Sequence, residues 1–197
     1  MNRLLLSVDG LSGAGFGPVS FGLENGECLG VAGPSGAGKS RLLRAIADLD
    51  PARGTVSLDG RERTNWQGPA WRSLVGYVPA ETHWWTDRVG AHFRNPARID
   101  TASLGLRPDI LAADASELSS GEKQRLGLLR QLELEPRVLL LDEPTANLDA
   151  DHRAAFEALV VNHQRSRLMG VVWVSHDPEQ LARVADRVLR LGAGRQP

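Results

Sequence analysis

The chain has 197 residues, of which 42% are hydrophobic and 24% charged, and its formal net charge is −1. That length fits one domain with a sizeable core, and the apolar content excludes a disordered chain. The balance of 23 basic and 24 acidic residues disfavours binding through bulk positive charge, so we expect no nucleic-acid partner. Because apolar runs are short, no apolar leader is present and Cys28 is the single cysteine, we expect neither a membrane-spanning nor a secreted chain.

Hydrophobic periodicity predicts an α/β fold. Short apolar runs bounded by Gly, Pro or Asp predict strands at residues 4–8, 19–23, 28–32, 55–58, 75–78, 138–141, 171–174 and 187–191. Helical patterns occupy residues 39–47, 122–132, 150–164 and 178–184. The run at 138–141 has no polar alternation, which is typical of a parallel strand covered on both faces. Strand signals are few between about 82 and 135, where we predict a helical insertion.

A phosphate-binding loop follows the third predicted strand and opens the first predicted helix. It matches G-x-x-x-x-G-K-[ST] at every fixed position, which favours a phosphate site over a glycine-rich turn that binds nothing. We expect Lys39 to neutralise the β- and γ-phosphates and the Ser40 hydroxyl to bind Mg²⁺. The predicted nucleotide-binding residues are Gly33, Pro34, Ser35, Gly36, Ala37, Gly38, Lys39, Ser40 and Arg41.

Two acids follow the most apolar predicted strand. Asp142 is placed to hold Mg²⁺, and Glu143 to orient and deprotonate a water molecule. Two acids after a buried strand can also cap the next turn, but their pairing with the phosphate loop favours catalysis.

Three further segments resemble the motifs of ATP-binding-cassette (ABC) ATPases. The first is Leu118-Ser119-Ser120-Gly121-Glu122-Lys123-Gln124-Arg125, similar to the signature motif of the family. The second is Leu139-Leu140-Leu141-Asp142-Glu143-Pro144-Thr145-Ala146-Asn147-Leu148-Asp149, similar to its Walker B strand and D-loop. The third is Ser175-His176-Asp177, similar to its switch histidine. The resemblance covers nearly the whole chain, 1–197, as one short cassette. It implies a P-loop α/β core, an antiparallel β subdomain and a short helical subdomain at about 82–135.

The resemblance also implies roles and partners. ATP and Mg²⁺ are the expected ligands, Glu143 the general base, and His176 a contact of the γ-phosphate; a histidine without that context is more often structural. Two copies would pair head to tail, so that Ser119, Ser120, Gly121 and Glu122 reach the ATP of the partner, with Asp149 coupling the two sites. Independently of the family, Ser119 and Glu122 form a capping box that predicts a helix start with free amides.

The chain departs from the family pattern in three places. Glu81 stands where a metal-binding glutamine is usual; we interpret it as a substitute metal ligand, and the alternative is a solvent-exposed carboxylate. The family usually stacks adenine on an aromatic residue before the phosphate loop, and only Phe16 is available, which is more typical of a core residue. The segment from Thr82 to Glu117 is shorter than in many members of the family, and the unusual aromatic residues near it could face a partner or pack the subdomain: His83, Trp84, Trp85 and Trp71.

The leading hypothesis is an ATP-hydrolysing subunit that energises transport through a separate membrane permease, bound peripherally at the cytoplasmic face of the membrane. The alternatives are a soluble ABC-type ATPase that remodels nucleic acid or ribosomes and a regulator that binds nucleotide without hydrolysis. Paired cassettes, coiled-coil insertions and basic stretches, which would favour the remodelling ATPase, are absent from the 197 residues.

Overall fold

The structure is a computed structural model that describes residues 4–192. Within these residues, nine strands form two sheets. The antiparallel sheet contains β1 (Leu6–Gly13), β2 (Phe16–Leu23), β4 (Arg53–Leu58) and β5 (Arg61–Glu62), in the order β2-β1-β4-β5. The parallel sheet contains β3 (Cys28–Ala32), β6 (Val75–Val78), β7 (Val138–Asp142), β8 (Gly170–Val174) and β9 (Arg187–Arg190), in the order β6-β7-β8-β3-β9. The predicted α/β fold class is therefore confirmed.

Five α-helices accompany the sheets: α1 (Lys39–Ile46), α2 (Gly68–Leu74), α3 (Ser120–Leu132), α4 (Ala150–Arg167) and α5 (Pro178–Val184). Four of them match predicted helices to within three residues at each end. Seven of the predicted strands meet the same criterion. The N-terminal strands extend beyond their predicted ranges, because glycines that indicated a turn lie instead in an irregular part of the β1–β2 ladder.

The parallel sheet separates two hydrophobic clusters, and β7 contributes to both. Val138 and Leu140 lie in the cluster shared with α1 and the antiparallel sheet. Leu139 and Leu141 lie in the cluster shared with α3 and α4. This alternation of two buried faces explains why the strand sequence is apolar at every position.

The middle of the chain differs from the predicted helical insertion. Between β6 and α3 the chain forms one isolated antiparallel bridge, between Arg88 and Asp114, and five short 3-10 helices. These lie at Val89–His92, Pro96–Arg98, Ala102–Leu104, Ile110–Ala112 and Ala115–Glu117. Within the predicted range, α3 is the one α-helix among the described residues. Pro96, Gly105 and Pro108 interrupt any longer helix, because proline lacks an amide donor and Gly105 adopts a positive φ of 62°.

The helix α2 and the strand β5 were not predicted. A Gly-Pro pair opens α2, where proline is tolerated in the first turn. Trp71 on this helix is fully buried, and its Nε1 donates a hydrogen bond of 2.9 Å to the carbonyl oxygen of Ile46. Trp71 is thus a core residue and cannot contribute to a partner surface.

Within residues 4–192, none of the helices has both the length and the apolar character needed to cross a lipid bilayer.

Candidate functional site

The carboxyl ends of three neighbouring parallel strands place the predicted site residues together. The strand β8 lies between β7 and β3. Its last residue, Val174, pairs with Asp142 of β7 on one side and with Val31 of β3 on the other. The phosphate loop follows β3, the two acids close β7, and Ser175 and His176 follow β8. Ligands of open parallel sheets bind at this edge, so the topology puts the three predicted motifs at one site.

The phosphate loop ends in a helix start that is free of side-chain caps. Gly38 occupies the N-cap position of α1 with φ 85°, and no acidic residue lies in the first turn of the helix. The uncapped amides are available to an anion, and the helix dipole favours negative charge there. This is the arrangement that the loop sequence predicts.

Gly38 is also pressed against the β1–β2 turn. A Cβ at this position would lie 2.5 Å from the carbonyl oxygen of Gly15 and 2.6 Å from the Cβ of Phe16. Any side chain would therefore push the loop away from the turn. The glycine is required both by its backbone conformation and by this contact.

The Lys39 ammonium is folded over the loop to which it belongs. Its Nζ donates hydrogen bonds of 2.8 Å to the carbonyl oxygen of Gly33 and 3.1 Å to that of Pro34. The cation therefore lies over the start of the loop, where a bound phosphate chain would need neutralisation.

Asp142 is the most enclosed acid of the site, with 3% of its surface exposed. Its Oδ1 accepts a 3.0 Å hydrogen bond from Ser40 Oγ, and its Oδ2 accepts one of 3.0 Å from the hydroxyl of Tyr77. Burial raises the pKa of Tyr77 and the negative charge of Asp142 raises it further, so the phenol stays protonated and keeps donating. Both carboxylate oxygens are thereby held in fixed directions.

The predicted metal ligands are only partly brought together. Ser40 Oγ and Asp142 Oδ1 are adjacent, and a hydroxyl with a carboxylate is an oxygen donor set that suits Mg²⁺ when phosphates and water complete it. Between residues 4 and 192 no three His, Cys, Asp or Glu side chains form a metal-binding group. Glu81 is exposed, and its carboxylate has no hydrogen bond or ion pair within the described residues. Its metal role remains a prediction.

Glu143 and His176 form the second polar pair of the site. Glu143 has a positive φ of 47°, and its amide donates to the carbonyl oxygen of Val174 at 3.1 Å. Its Oε2 lies 2.9 Å from Nδ1 of His176, whose side chain is 74% exposed. His176 and Ser175 line a groove of about 520 Å³ together with Gly33 and Pro34 of the phosphate loop. His176 therefore faces the start of the loop, and Glu143 is linked to it through the hydrogen bond.

The signature segment has the predicted capping box. The hydroxyl of Ser119 accepts from the amide of Glu122 at 3.2 Å and donates to Glu122 Oε2 at 2.8 Å, while the amide of Ser119 donates to Oε2 at 2.9 Å. Burial raises the pKa of Glu122, but the hydrogen bonds from Ser119 outweigh it and lower the pKa below its usual value. The acid is thus ionised at neutral pH.

The signature segment also packs on the D-loop of the same chain. A Cβ on Gly121 would lie 3.3 Å from the carbonyl oxygen of Asn147. Asp149 caps α4 by accepting from the amide of His152 at 2.9 Å, and the backbone hydrogen bond lowers the pKa of Asp149. Both segments therefore use their polar groups within one chain.

Two residues of the site, Tyr77 and Gln124, were not predicted. Gln124 is buried on α3 and donates 3.0 Å from Nε2 to the carbonyl oxygen of Pro79, which ties the signature helix to the segment after β6. The sequence signal that could have identified both residues is a polar group within an otherwise apolar element, Tyr77 in the strand β6 and Gln124 on the buried face of α3.

The remaining aromatic candidates separate into core and surface. Phe16 is 7% exposed and packs in the first core cluster, in agreement with the core interpretation. Trp84 is half-buried against the second cluster, whereas Trp85 is 71% exposed and stacks edge-on with His92.

Comparison with known sequences identifies relatives along most of the chain. A family model described as ABC transporter matches residues 16–146. The Fe(3+) ions import ATP-binding protein FbpC 2 of Rhodococcus jostii is 37% identical over 191 residues, which are 90% of this chain and 55% of that protein. The Probable iron export ATP-binding protein FetA of Escherichia coli is 32% identical over 186 residues, covering 88% and 82% of the two chains. The chain thus spans about half the length of the first relative and most of the second.

Solved structures share the fold. A dimeric ATP-binding cassette in a post-hydrolysis state, bound to ADP and Pi, has a TM-score of 0.82 at 21% identity and covers 98% of this chain and 97% of its own. An ATP binding subunit of an ABC transporter has a TM-score of 0.80 at 24% identity, with coverages of 95% and 85%. Taken with the family match and the relatives above, these likenesses place the site in a known fold, and the chain belongs to the ABC transporter family.

Proposed function

We propose that the chain is the ATP-binding and ATP-hydrolysing subunit of an ABC transporter and energises transport through a separate permease. The observation that carries the proposal is the convergence of the phosphate loop, the Ser40–Asp142 pair and the Glu143–His176 pair at one edge of the parallel sheet. A site that only held nucleotide would not need the second pair.

Mg²⁺ would be held by Ser40 and Asp142, with phosphate oxygens and water as its other ligands. When bound, it would neutralise charge on the β- and γ-phosphates. Tyr77 would keep Asp142 Oδ1 turned toward Ser40 by occupying Oδ2.

Hydrolysis needs a base near the terminal phosphate, and Glu143 would be that base. Its Oε2 is engaged by His176, which leaves Oε1 free to accept a proton from an attacking water molecule. With its Nδ1 directed at Glu143, His176 can turn its Nε2 toward the phosphate groups. Lys39 and the amides at the start of α1 would stabilise the negative charge on the phosphates.

The signature segment is proposed to act on a second copy of the chain. The helix α3 begins with free amides that could bind an anion, but the phosphate loop of the same chain is distant in sequence. In a two-fold pair, this helix start would lie over the phosphate loop of the partner. Two of the solved structures with this fold are dimeric cassettes, which supports the same arrangement. Asp149 would then lie near the contact between the two copies.

Coupling to a membrane permease is supported by the names of the relatives. They include ATP-binding proteins for Fe(3+) import, iron export, phosphate import and aliphatic sulfonate import. Because these cargoes and directions differ, the cargo of this chain is left open. Attachment to the cytoplasmic face of a membrane is part of the proposal.

Two measurements test the proposed function. Purified chain should hydrolyse ATP in a Mg²⁺-dependent manner, and Lys39→Ala should abolish the activity. In cell extracts the chain should co-purify with a polytopic protein from detergent-solubilised membranes. ATPase activity with co-purification of ribosomes or nucleic acid instead would favour the remodelling alternative, and nucleotide binding without hydrolysis would contradict the enzyme assignment.

A further inference from the structure

The two ends of the phosphate loop have different neighbours. Gly33 and Pro34, at its start, share a groove with His176, which marks the end where the terminal phosphate is hydrolysed. Gly38, at its end, abuts the β1–β2 turn at Gly15. On the proposed function, a nucleotide lying along the loop would run from His176 toward α1, and its base would fall beside this turn.

The β1–β2 turn has no side chain on which a base could stack. Gly13, Ala14 and Gly15 carry at most a methyl group, and the ring of Phe16 is buried in the core. Proteins hold nucleobases largely by stacking them on aromatic rings or on the planar guanidinium of arginine. A platform must come from another element.

Arg41 places a planar group over the turn. It lies in the first turn of α1, is exposed, and its Nη1 donates 2.7 Å to the carbonyl oxygen of Ala14. A Cβ built on Gly15 would meet the same Nη1 at 2.7 Å and the Cζ atom at 3.7 Å, so the guanidinium covers this glycine. The hydrogen bond holds one end of the guanidinium at the turn, and the residue as a whole is exposed to solvent.

We infer that Arg41 is the nucleobase platform of this site. Its guanidinium, held by Ala14 and seated on Gly15, stacks against the base of the bound nucleotide. The inference rests on the proposed nucleotide-binding function and deepens it. Because a guanidinium can stack on any base, the site should bind ADP and GDP with affinities within about threefold of each other.

Calorimetric titration with ADP and with inorganic pyrophosphate, both in Mg²⁺, separates base contacts from phosphate contacts. In Arg41→Ala, ADP affinity should fall about tenfold, the size expected for one lost stacking contact, while pyrophosphate affinity changes less than about threefold. Arg41→Tyr, which has a ring but no charge, should recover most of the ADP affinity. Arg41→Lys, which keeps the charge and a donor for Ala14, should not.

Arg165→Ala is a control, since it removes an exposed arginine from another helix, α4. If Arg41→Ala lowered the affinities for ADP and for pyrophosphate equally, and Arg41→Lys restored both, the inference would be overturned in favour of a contact between Arg41 and a phosphate. No change in either affinity would leave Arg41 as a support of the turn and would also overturn it. If the unmodified chain bound neither ADP nor pyrophosphate, the proposed function itself would fail. If Lys39→Ala lost binding but Arg41→Ala had no effect, only the role of Arg41 as nucleobase platform would be rejected.

Discussion

The two sides of the proposed ATP site differ in what one chain already assembles. On the phosphate-loop side, side chains from four parts of the chain contact each other: Ser40 of α1 and Tyr77 of β6 hold Asp142 at the end of β7, and His176 after β8 holds Glu143. On the signature side, within residues 4–192, the hydroxyl of Ser119 bonds only to Glu122, and the carboxylate of Asp149 bonds only to His152 at the start of the helix it caps.

This difference indicates a division of labour between one chain and two. Groups that are proposed to act on phosphate and water already contact each other within one chain. Groups that would contact the nucleotide of a second copy are satisfied locally, and the Ser119 hydroxyl would have to exchange its bond with Glu122 for one with a phosphate. In the proposed dimer, the signature segment would therefore change its hydrogen bonds when the second copy of the chain binds.

The largest expected effect concerns the general base. Glu143→Gln should lower the ATPase rate by about 100-fold or more while nucleotide binding persists, because the amide cannot accept the proton. Glu179→Gln makes the same chemical change at an exposed position of the nearby helix α5 and should leave the rate unchanged. Steady-state phosphate release measures both; a Glu143→Gln rate within threefold of the native rate would remove Glu143 from the catalytic role.

A smaller effect is expected at Tyr77, which acts through Asp142. Tyr77→Phe should weaken metal affinity about tenfold, the usual effect of losing a group that orients a metal ligand. Electron paramagnetic resonance of Mn²⁺ in the presence of ADP measures the affinity directly. ADP affinity without metal should not change. Unaltered Mn²⁺ affinity would show that Asp142 does not need the phenol.

Glu122 gives a prediction for the signature side. Because its carboxylate is ionised beside the expected position of the partner's phosphate, Glu122→Gln should strengthen ATP-driven pairing about fivefold, and added salt should reduce the difference. Glutamine keeps the capping box. Analytical ultracentrifugation in the Glu143→Gln background gives the dimer affinity, with the exposed Glu117→Gln as control. Weaker pairing would mean that the carboxylate itself makes a favourable contact.

The smallest effect is expected at Glu81, whose carboxylate is exposed and unpaired among the described residues. If it reaches the metal through water, Glu81→Ala should raise the Mg²⁺ concentration for half-maximal ATPase about threefold, and Glu81→Gln less. Thermal stability should stay constant in both variants. An identical Mg²⁺ dependence in native chain, alanine and glutamine variants would reject the metal role.

Sequence reasoning predicted the parts of this fold whose signals are local. The loop at Gly33–Ser40, the apolar strand β7 and the capping box at Ser119 each depend on residues close together in the chain. Tyr77 and Arg41 were harder to interpret, because their partners, Asp142 and Ala14, lie 65 and 27 residues away. Such contacts depend on how strands are ordered in a sheet and how a helix packs on a turn, which periodicity does not report.

The segment between β6 and α3 shows the same limit in another way. Its residues lacked strand signals, which indicated helix, yet it folds as separate 3-10 turns held by single hydrogen bonds such as that from Arg125 to the carbonyl oxygen of Leu104 at 2.7 Å. Helix propensity does not decide a segment whose shape is set by a few long-range contacts.

Mixing two inactive variants tests the division of labour most directly. Lys39→Ala disables the phosphate-loop side, and Ser120→Asp places a charge on the exposed first residue of α3, where it suits the helix but opposes a phosphate. A head-to-tail pair of the two retains one intact site, so the mixture should recover about a quarter of the native ATPase rate, although each variant alone has none. A mixture that forms mixed pairs yet stays inactive, or full activity in Ser120→Asp alone, would contradict the account.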